Sequence, residues 1–315
     1  MKIGLYSITY LGVWYRGGAL SLEEFIKQTK KLGYSGIEID GKRPHGNPMD
    51  LSAGARREIK QMTADEGLDM VAVASNNDFC SLIPEHRECQ LLMVREQIKL
   101  AADLGAPIVR LFVGWPGIVL HDGLAHYDIA ARMKADSLAL VSRAETWEFA
   151  RDCFREAACI AEQEGVTLVL QDHHPVIRDH NDVMSMIAQV NSPAFKACLD
   201  VPLFPRQDDE WVAQAVQAGG SQQIHTHYNG EFQRDSSGKV VQKPLAFYKR
   251  QYVNYPAFVR ELKKIGYTGY HCFEFCHEAY NDLWEPQGRE YVDEQAALAL
   301  EYLKDIMVAE GVYEQ

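Results

Sequence analysis

Long apolar runs are missing from these 315 residues. Nowhere do about 18 consecutive apolar residues occur, so no membrane-spanning helix is expected. Basic residues are scarce, 32 against 44 acidic ones, for a formal net charge of -12. That balance speaks against a nucleic-acid surface and against an anionic membrane as partners. The seven cysteines are too few and too odd in number to form a disulfide framework. The opening MKIGLYSITY reads as a strand rather than as a basic and then apolar export leader. Reduced thiols and a cytoplasmic location are the expectation. No GxGxxG motif follows an early strand, which argues against an open doubly wound sheet, the alternative α/β fold. No low-complexity stretch or linker divides the chain either, so residues 1–315 are expected to form a single domain.

What is present is a recurring unit: an amphipathic helix, a glycine, then a short apolar strand. It occurs as KKLGYSGIEID, ADEGLDMVAVAS, ADLGAPIVRLFVGW, EQEGVTLVLQDHH and KKIGYTGYHCFEF. Gly33, Gly67, Gly105, Gly165 and Gly266 each stand where a helix ends in a left-handed residue. The strands that follow are apolar throughout rather than alternating, as in parallel strands buried on both faces. Eight are legible: Gly4–Thr9, Ile37–Asp40, Met70–Ala74, Ile108–Val113, Leu168–Asp172, Lys196–Asp200, Ile224–Tyr228 and Tyr270–Phe275. A helical segment follows each of them. Ser21 and Glu24 form a capping box. Leu91, Val94, Ile98 and Ala101 form one apolar stripe, and Val292, Ala296, Leu300 and Leu303 another. The predicted fold is a (β/α)8 TIM barrel. Two connections, Pro116–Ala144 after strand four and Asn229–Asn254 after strand seven, are too long for simple turns and read as lids or subunit contacts. The second contains a hairpin signal around Asp235–Gly238.

Ionisable residues collect at the C-terminal strand ends: Glu38 and Asp40, Gln171-Asp172-His173-His174, Asp200, His225-Thr226-His227 and Glu274. Burying such groups without partners costs several kcal/mol. Taken singly, each has an ordinary reading as a cap, an ion-pair partner or a satisfied core group. Gln171, Asp200, His227 and Glu274, however, come from four successive strands and can converge on one divalent cation. One nitrogen and three oxygen donors without a thiolate suit Mn²⁺ foremost, with Mg²⁺ or Co²⁺ as alternatives. Cys272 and Cys276 read as small buried hydrophobes.

With Glu38 on strand two, QDHH on strand five, LD on strand six, HTH on strand seven and FEF on strand eight, the chain resembles the xylose-isomerase-like sugar isomerases and epimerases over essentially its whole length. In that family two glutamates, an aspartate and a histidine hold one catalytic metal, and the matching positions are Gln171, Asp200, His227 and Glu274. Two departures stand out: Gln171 replaces a glutamate, and Leu203 replaces a histidine that ketose epimerases of the family often carry. The family's epimerases use both metal-bound glutamates as opposed bases. An amide cannot act as a base, so Glu274 with His173 or His174 remains for proton transfer.

Enolisation of a keto-sugar has three outcomes: epimerisation, isomerisation, or elimination of a β-substituent. A one-carboxylate site suits elimination, as in the family's C-glycoside deglycosidases, which act on 3-keto glycosides. The resemblance to them implies a small β-sandwich partner subunit; a homo-oligomer is the alternative. Ketose 3-epimerisation and aldose–ketose isomerisation remain alternative activities. Aromatic residues after the strands (Tyr10, Trp14, Tyr15, Trp115, Tyr228, Phe232 and Phe247) suit a sugar bearing an aglycone. Expected substrate contacts are Glu38, Trp14, Trp115, Arg110, His225 and Arg234. A non-catalytic sugar-binding protein would keep the aromatics without needing the quartet. A DNA-repair endonuclease of the same barrel type would need more metal ligands and a basic face.

Overall fold

The computed structural model describes residues 1–243 and 252–314; Phe247 lies outside them. Eight parallel strands close into a barrel in chain order. They are β1 (Lys2–Tyr6), β2 (Gly36–Asp40), β3 (Asp69–Ala74), β4 (Ile108–Leu111), β5 (Thr167–Gln171), β6 (Phe195–Cys198), β7 (Gln223–Tyr228) and β8 (Tyr270–Phe273). The ring closes where β8 pairs with β1, Lys2 lying opposite Tyr270. This is the (β/α)8 architecture expected from the repeated strand and helix units.

Nine helices of eight residues or more wrap the described barrel: α1 (Leu22–Leu32), α2 (Ala53–Asp65), α3 (Pro84–Leu104), α4 (Tyr127–Leu138), α5 (Arg143–Glu164), α6 (His180–Val190), α7 (Asp209–Gly219), α8 (Tyr255–Lys264) and α9 (Arg289–Ala309). Their starts are chemically marked. Ser21 with Glu24 and Ser142 with Glu145 form complete capping boxes at α1 and α5. Their ends are equally plain, with Gly33, Gly105 and Gly165 left-handed at φ 94°, 79° and 70°. The apolar stripes face inward: Val94, Ile98 and Ala101 on α3 and Val292, Ala296 and Leu303 on α9 are buried.

Several strands stop short of the apolar run that announces them, because side chains take over the backbone's partners at the C-terminal rim. Asn77 bonds both the Phe112 N–H and its carbonyl, at 3.0 and 2.6 Å, ending β4 at Leu111. Thr9 Oγ1 accepts from Phe275 N, and Asp172 Oδ1 from Asp200 N. The rim is thereby released from strand geometry and its polar residues can turn towards one another.

The connection after β4 is more than a loop. It holds a hairpin, Val119–His121 against Leu124–His126, and then α4. Asp122 and Gly123 both have positive φ, 50° and 77°, as a two-residue hairpin turn requires. The connection after β7 forms the expected hairpin, Glu231–Arg234 against Val240–Lys243. Among the described residues no helix is long and apolar enough to cross a membrane.

His271 on β8 is 1% exposed and packs edge-on against Phe258 and Tyr267 at 6.1 and 5.6 Å. Burial pushes its pKa down to about 3. Between that value and the ordinary pKa of about 6.5 the unfolded chain binds the proton and the folded one does not, so stability rises with pH across this window. Urea unfolding should therefore show stability falling as pH drops below about 6.5, by at most about 1.4 kcal/mol per pH unit for this group. His271→Phe should flatten part of that slope. Identical pH dependence in the two proteins would show that His271 is not responsible.

Candidate metal and substrate site

The C-terminal end of the barrel interior is polar, and its side chains answer one another. Period-two alternation on β7 places His225 and His227 on the same inward face. Glu38 Oε2, from β2, lies 2.9 Å from Nε2 of each. Asp200, just past β6, accepts from the His227 backbone N–H at 2.7 Å, and its Oδ2 is 2.9 Å from His227 Nδ1. Gln171, the last residue of β5, donates its amide to Asp200 and lies 3.3 Å from His227 Nδ1. Three of the four expected ligands are thus in mutual contact. The fourth, Glu274, accepts from Asn229 Nδ2 at 3.4 Å.

These contacts set the charge states. Burial would raise the Asp200 pKa, but the charge of His227 and the hydrogen bonds from His227 and Gln171 bring it below the usual range. Glu38, also fully buried, is held well below it by His227 and His225. Glu274, whose hydrogen-bond partner is a neutral amide, is pushed up by burial against the attraction of His227.

Gln171, Asp200 and His227 lie close enough together to share one divalent cation. Gln171 Oε1 is buried and accepts no hydrogen bond, while the nitrogen of the same carboxamide faces Asp200 and His227. Ligand atoms of Cys198, Asp200 and His227 lie within 4.8 Å of one another, as do those of Glu38, His225 and Cys272. Burial raises the pKa of both thiols well above the usual value, so they stay protonated and pack as small hydrophobes. The remaining donors are oxygen and nitrogen, hard to borderline in character.

Gln171 and Glu274 line a cavity of about 370 Å³, together with Arg110, His173, His174, Asn76 and Asn229. Most of its other wall is apolar, built from Ile8, Phe112, Trp115, Tyr127, Ala131, Pro175 and Leu203. His173 is half-buried and stands edge-on to Phe112 and Trp115, 5.1 Å from each ring centroid. Its Nδ1 is 2.6 Å from the His174 carbonyl oxygen. A carbonyl only accepts, so Nδ1 carries the proton and Nε2 keeps the lone pair. Burial pushes the His173 pKa down to about 4, so the ring is neutral at physiological pH.

Arg110 and Trp115 line the cavity as expected for substrate contacts, but four other residues of that set are placed elsewhere. Trp14 is fully buried and stacks on Tyr127 at 5.2 Å, supporting the wall from behind. Arg234 is on the hairpin that follows β7, which lies along α9, and forms two bonds to Glu301 at 2.8 and 2.7 Å. Glu38 and His225 are spent on each other and on His227. Leu203, which stands where family epimerases often carry a histidine, lines the cavity, and so do Phe112 and the α4 residues Tyr127, Ala131, Lys134 and Ala135, which the sequence did not single out. The signal for α4 was present: those positions recur at i, i+4, i+7 and i+8, one face of a helix.

A closed barrel with a polar pocket at the C-terminal ends of its strands defines the architecture of a TIM-barrel protein with its site at the usual face. The chain belongs to the xylose isomerase-like TIM barrel family, whose profile matches residues 26–305. Fructoselysine 3-epimerases of Escherichia coli O157:H7 and Shigella flexneri are each 26% identical over 190 residues. Those alignments cover 58% of this chain and 62% of each relative, so the chain matches less than two thirds of their length. Among solved structures, D-psicose 3-epimerase of Clostridium cellulolyticum H10 superimposes with a TM-score of 0.71 at 18% identity, covering 98% of this chain and 99% of that one. The 3-keto-D-glucoside 4-epimerase of E. coli gives 0.64 at 17%, covering 95% and 99%. At these identities the superpositions establish the shared fold.

Glu38 carries two buried histidines, and removing one partner from a buried charged network costs about 3 to 5 kcal/mol. Glu38→Ala should lower the unfolding free energy by that amount in denaturant titrations, and Glu38→Gln by clearly less. Equal stability of Glu38→Ala and the unmodified protein would mean that the network is not under strain when opened.

Proposed function

We propose that this protein is a divalent-metal-dependent enzyme that enolises a keto-sugar. The carrying observation is the Gln171 carboxamide, its Oε1 orphaned and its nitrogen against Asp200 and His227, lining a cavity that also holds His173. The epimerase names of its relatives support a sugar substrate. Gln171, Asp200, His227 and Glu274 would hold the ion, Mn²⁺ foremost. When bound, such an ion acts as a Lewis acid that lowers the cost of forming negative charge on a substrate oxygen.

His173 would take the proton from the carbon beside the ketone, because its tautomer is set by the His174 carbonyl and its ring is neutral. His174, whose Nδ1 is 3.1 Å from the Ile177 carbonyl oxygen, also lines the cavity and is the second candidate. Glu274, which lines the same cavity, would return a proton. The apolar wall excludes water from the reacting carbons and suits a flat apolar substituent.

Within this chemistry we favour elimination from a 3-keto glycoside over 3-epimerisation or isomerisation of a ketose. The C2–H bond breaks and its proton passes to the base. The C2 electron pair then forms the C1=C2 bond, while the C1–aglycone pair leaves with the aglycone, which takes up a proton. One base and one acid suffice, the roles given to His173 and Glu274, and Gln171 adds no second base. A small second subunit or a second copy of the chain belongs to the same proposal.

Asp200→Ala and His227→Ala should leave folded proteins with sharply reduced Mn²⁺ content by elemental analysis; full metal content in both would refute the ligand set. His173→Ala should keep its metal and lose about 10²- to 10⁴-fold in rate. Gln171→Glu should retain metal, lose aglycone release and gain slow ketose epimerisation. The assay is deuterium uptake from D₂O into a ketose, run beside aglycone release from 3-keto O- and C-glycosides. Rapid exchange and inversion of a ketose by the unmodified protein, with no aglycone released, would replace the eliminase with the epimerase.

A further inference from the structure

Arg110 projects from β4 into the closed end of the cavity and is 2% exposed. Its Nη2 donates to Tyr6 Oη at 2.9 Å and its Nη1 to the Ser75 carbonyl at 3.2 Å. The guanidinium carbon lies 4.2 Å from the Phe112 ring centroid. Tyr6 donates in turn to Asp40 at 3.2 Å, and Asp40 also accepts from Asn76 at 2.7 Å. The guanidinium is therefore clamped in one orientation by two neutral oxygens and an aromatic face.

A buried arginine that serves only as a counter-ion is normally paired bidentately with a carboxylate at about 2.7 to 2.9 Å. Arg110 is not. The carboxylate oxygen nearest its Nε is Glu38 Oε1 at 4.0 Å. That oxygen and Nε itself both lack a hydrogen-bond partner. Glu38 spends its other oxygen on His225 and His227. A permanent positive charge thus borders the cavity shared with Gln171 and Glu274, held rigid and reached by the charges of Glu38 and Glu274 through space rather than through a bidentate pair. Donors fixed in advance where charge develops are the feature that stabilises oxyanions in enclosed sites, and losing one commonly costs about 10²- to 10³-fold in rate.

We propose that Arg110 is a catalytic residue whose guanidinium hydrogen-bonds the substrate's carbonyl oxygen and stabilises the negative charge it acquires as the adjacent carbon loses its proton. This rests on the keto-sugar reading above and extends it by naming the group that meets the oxygen. It also narrows the substrate: the ketone must reach the β4 side of the cavity, with its substituent lying along Phe112, Trp115 and Tyr127.

The test measures deuterium uptake from D₂O into methyl 3-keto-β-D-glucopyranoside and, in parallel, into D-fructose, using the Mn²⁺-loaded full-length protein. Arg110→Met should lower the exchange rate constant by about 10²- to 10³-fold, with KM changed much less and metal content unchanged. Arg110→Lys should recover part of the rate, and added methylguanidinium should restore activity to Arg110→Met but not to Arg110→Lys. Tyr6→Phe, which removes only the clamp, should lose a smaller factor and covers the case in which Arg110→Met does not fold. Exchange by the unmodified protein, together with undiminished exchange in the folded Arg110 variants or in Tyr6→Phe, would overturn the role of Arg110 alone. No exchange by the unmodified protein into either probe would overturn the keto-sugar reading, and this role with it.

Discussion

Two carboxylates hold one imidazole ring: Asp200 Oδ2 is 2.9 Å from Nδ1 of His227, and Glu38 Oε2 is 2.9 Å from its Nε2. This chain of contacts crosses the barrel from β6 to β2 through β7, and every group in it is removed from water. In so dry a place each charge is tolerable only because the next one is within hydrogen-bond distance. Gln171 and His225 are fastened to the same chain at its two ends. The polar end of the barrel is consequently a single coupled unit, and the position of any ligand on the Asp200 side depends on a glutamate on the far side of His227.

The unit is rigid because the strand ends are tied by side chains. Asp172 secures the backbone of Asp200, Thr9 that of Phe275, and Asn77 that of Phe112. These bonds release the strand termini from the ladder while fixing where they go, which is how a rim becomes a site of defined geometry. The insertion carrying α4 then supplies what the barrel lacks. It brings Tyr127 and Ala131 over the opening and anchors them through the Lys134–Asp78 ion pair at 2.5 Å. The polar groups come from the barrel and the apolar enclosure from the insertion, so the wall can change in α4 without disturbing the polar end.

The amide of Gln171 gains meaning from its surroundings. An amide keeps an oxygen donor and brings no charge, so the Asp200–His227 pair meets no second anion there. Arg110 adds a cation to the lining of the same cavity. Both features make this pocket less negative than one with paired carboxylates, the direction that favours accumulation of charge on a substrate oxygen.

Much of this was legible in the sequence. Helix-ending glycines followed by unbroken apolar strands encode a parallel barrel, because both signals are local: a backbone angle and a run of buried side chains. The convergence of Gln171, Asp200 and His227 followed from the same count, since the barrel brings the ends of successive strands together. Even the α4 face and the Asp122-Gly123 turn were present as patterns, though not read. What only the tertiary structure decided was which polar residues spend their bonds on one another. Trp14 and Trp115 look alike in the sequence, yet one stands behind Tyr127 and the other lines the cavity. Arg234 and Arg110 differ in the same way, one answered by Glu301 from a distant helix and the other left with an open Nε. Pairing of that kind depends on which side chains from remote segments arrive within about 3 Å, a property of packing in three dimensions that no local pattern contains.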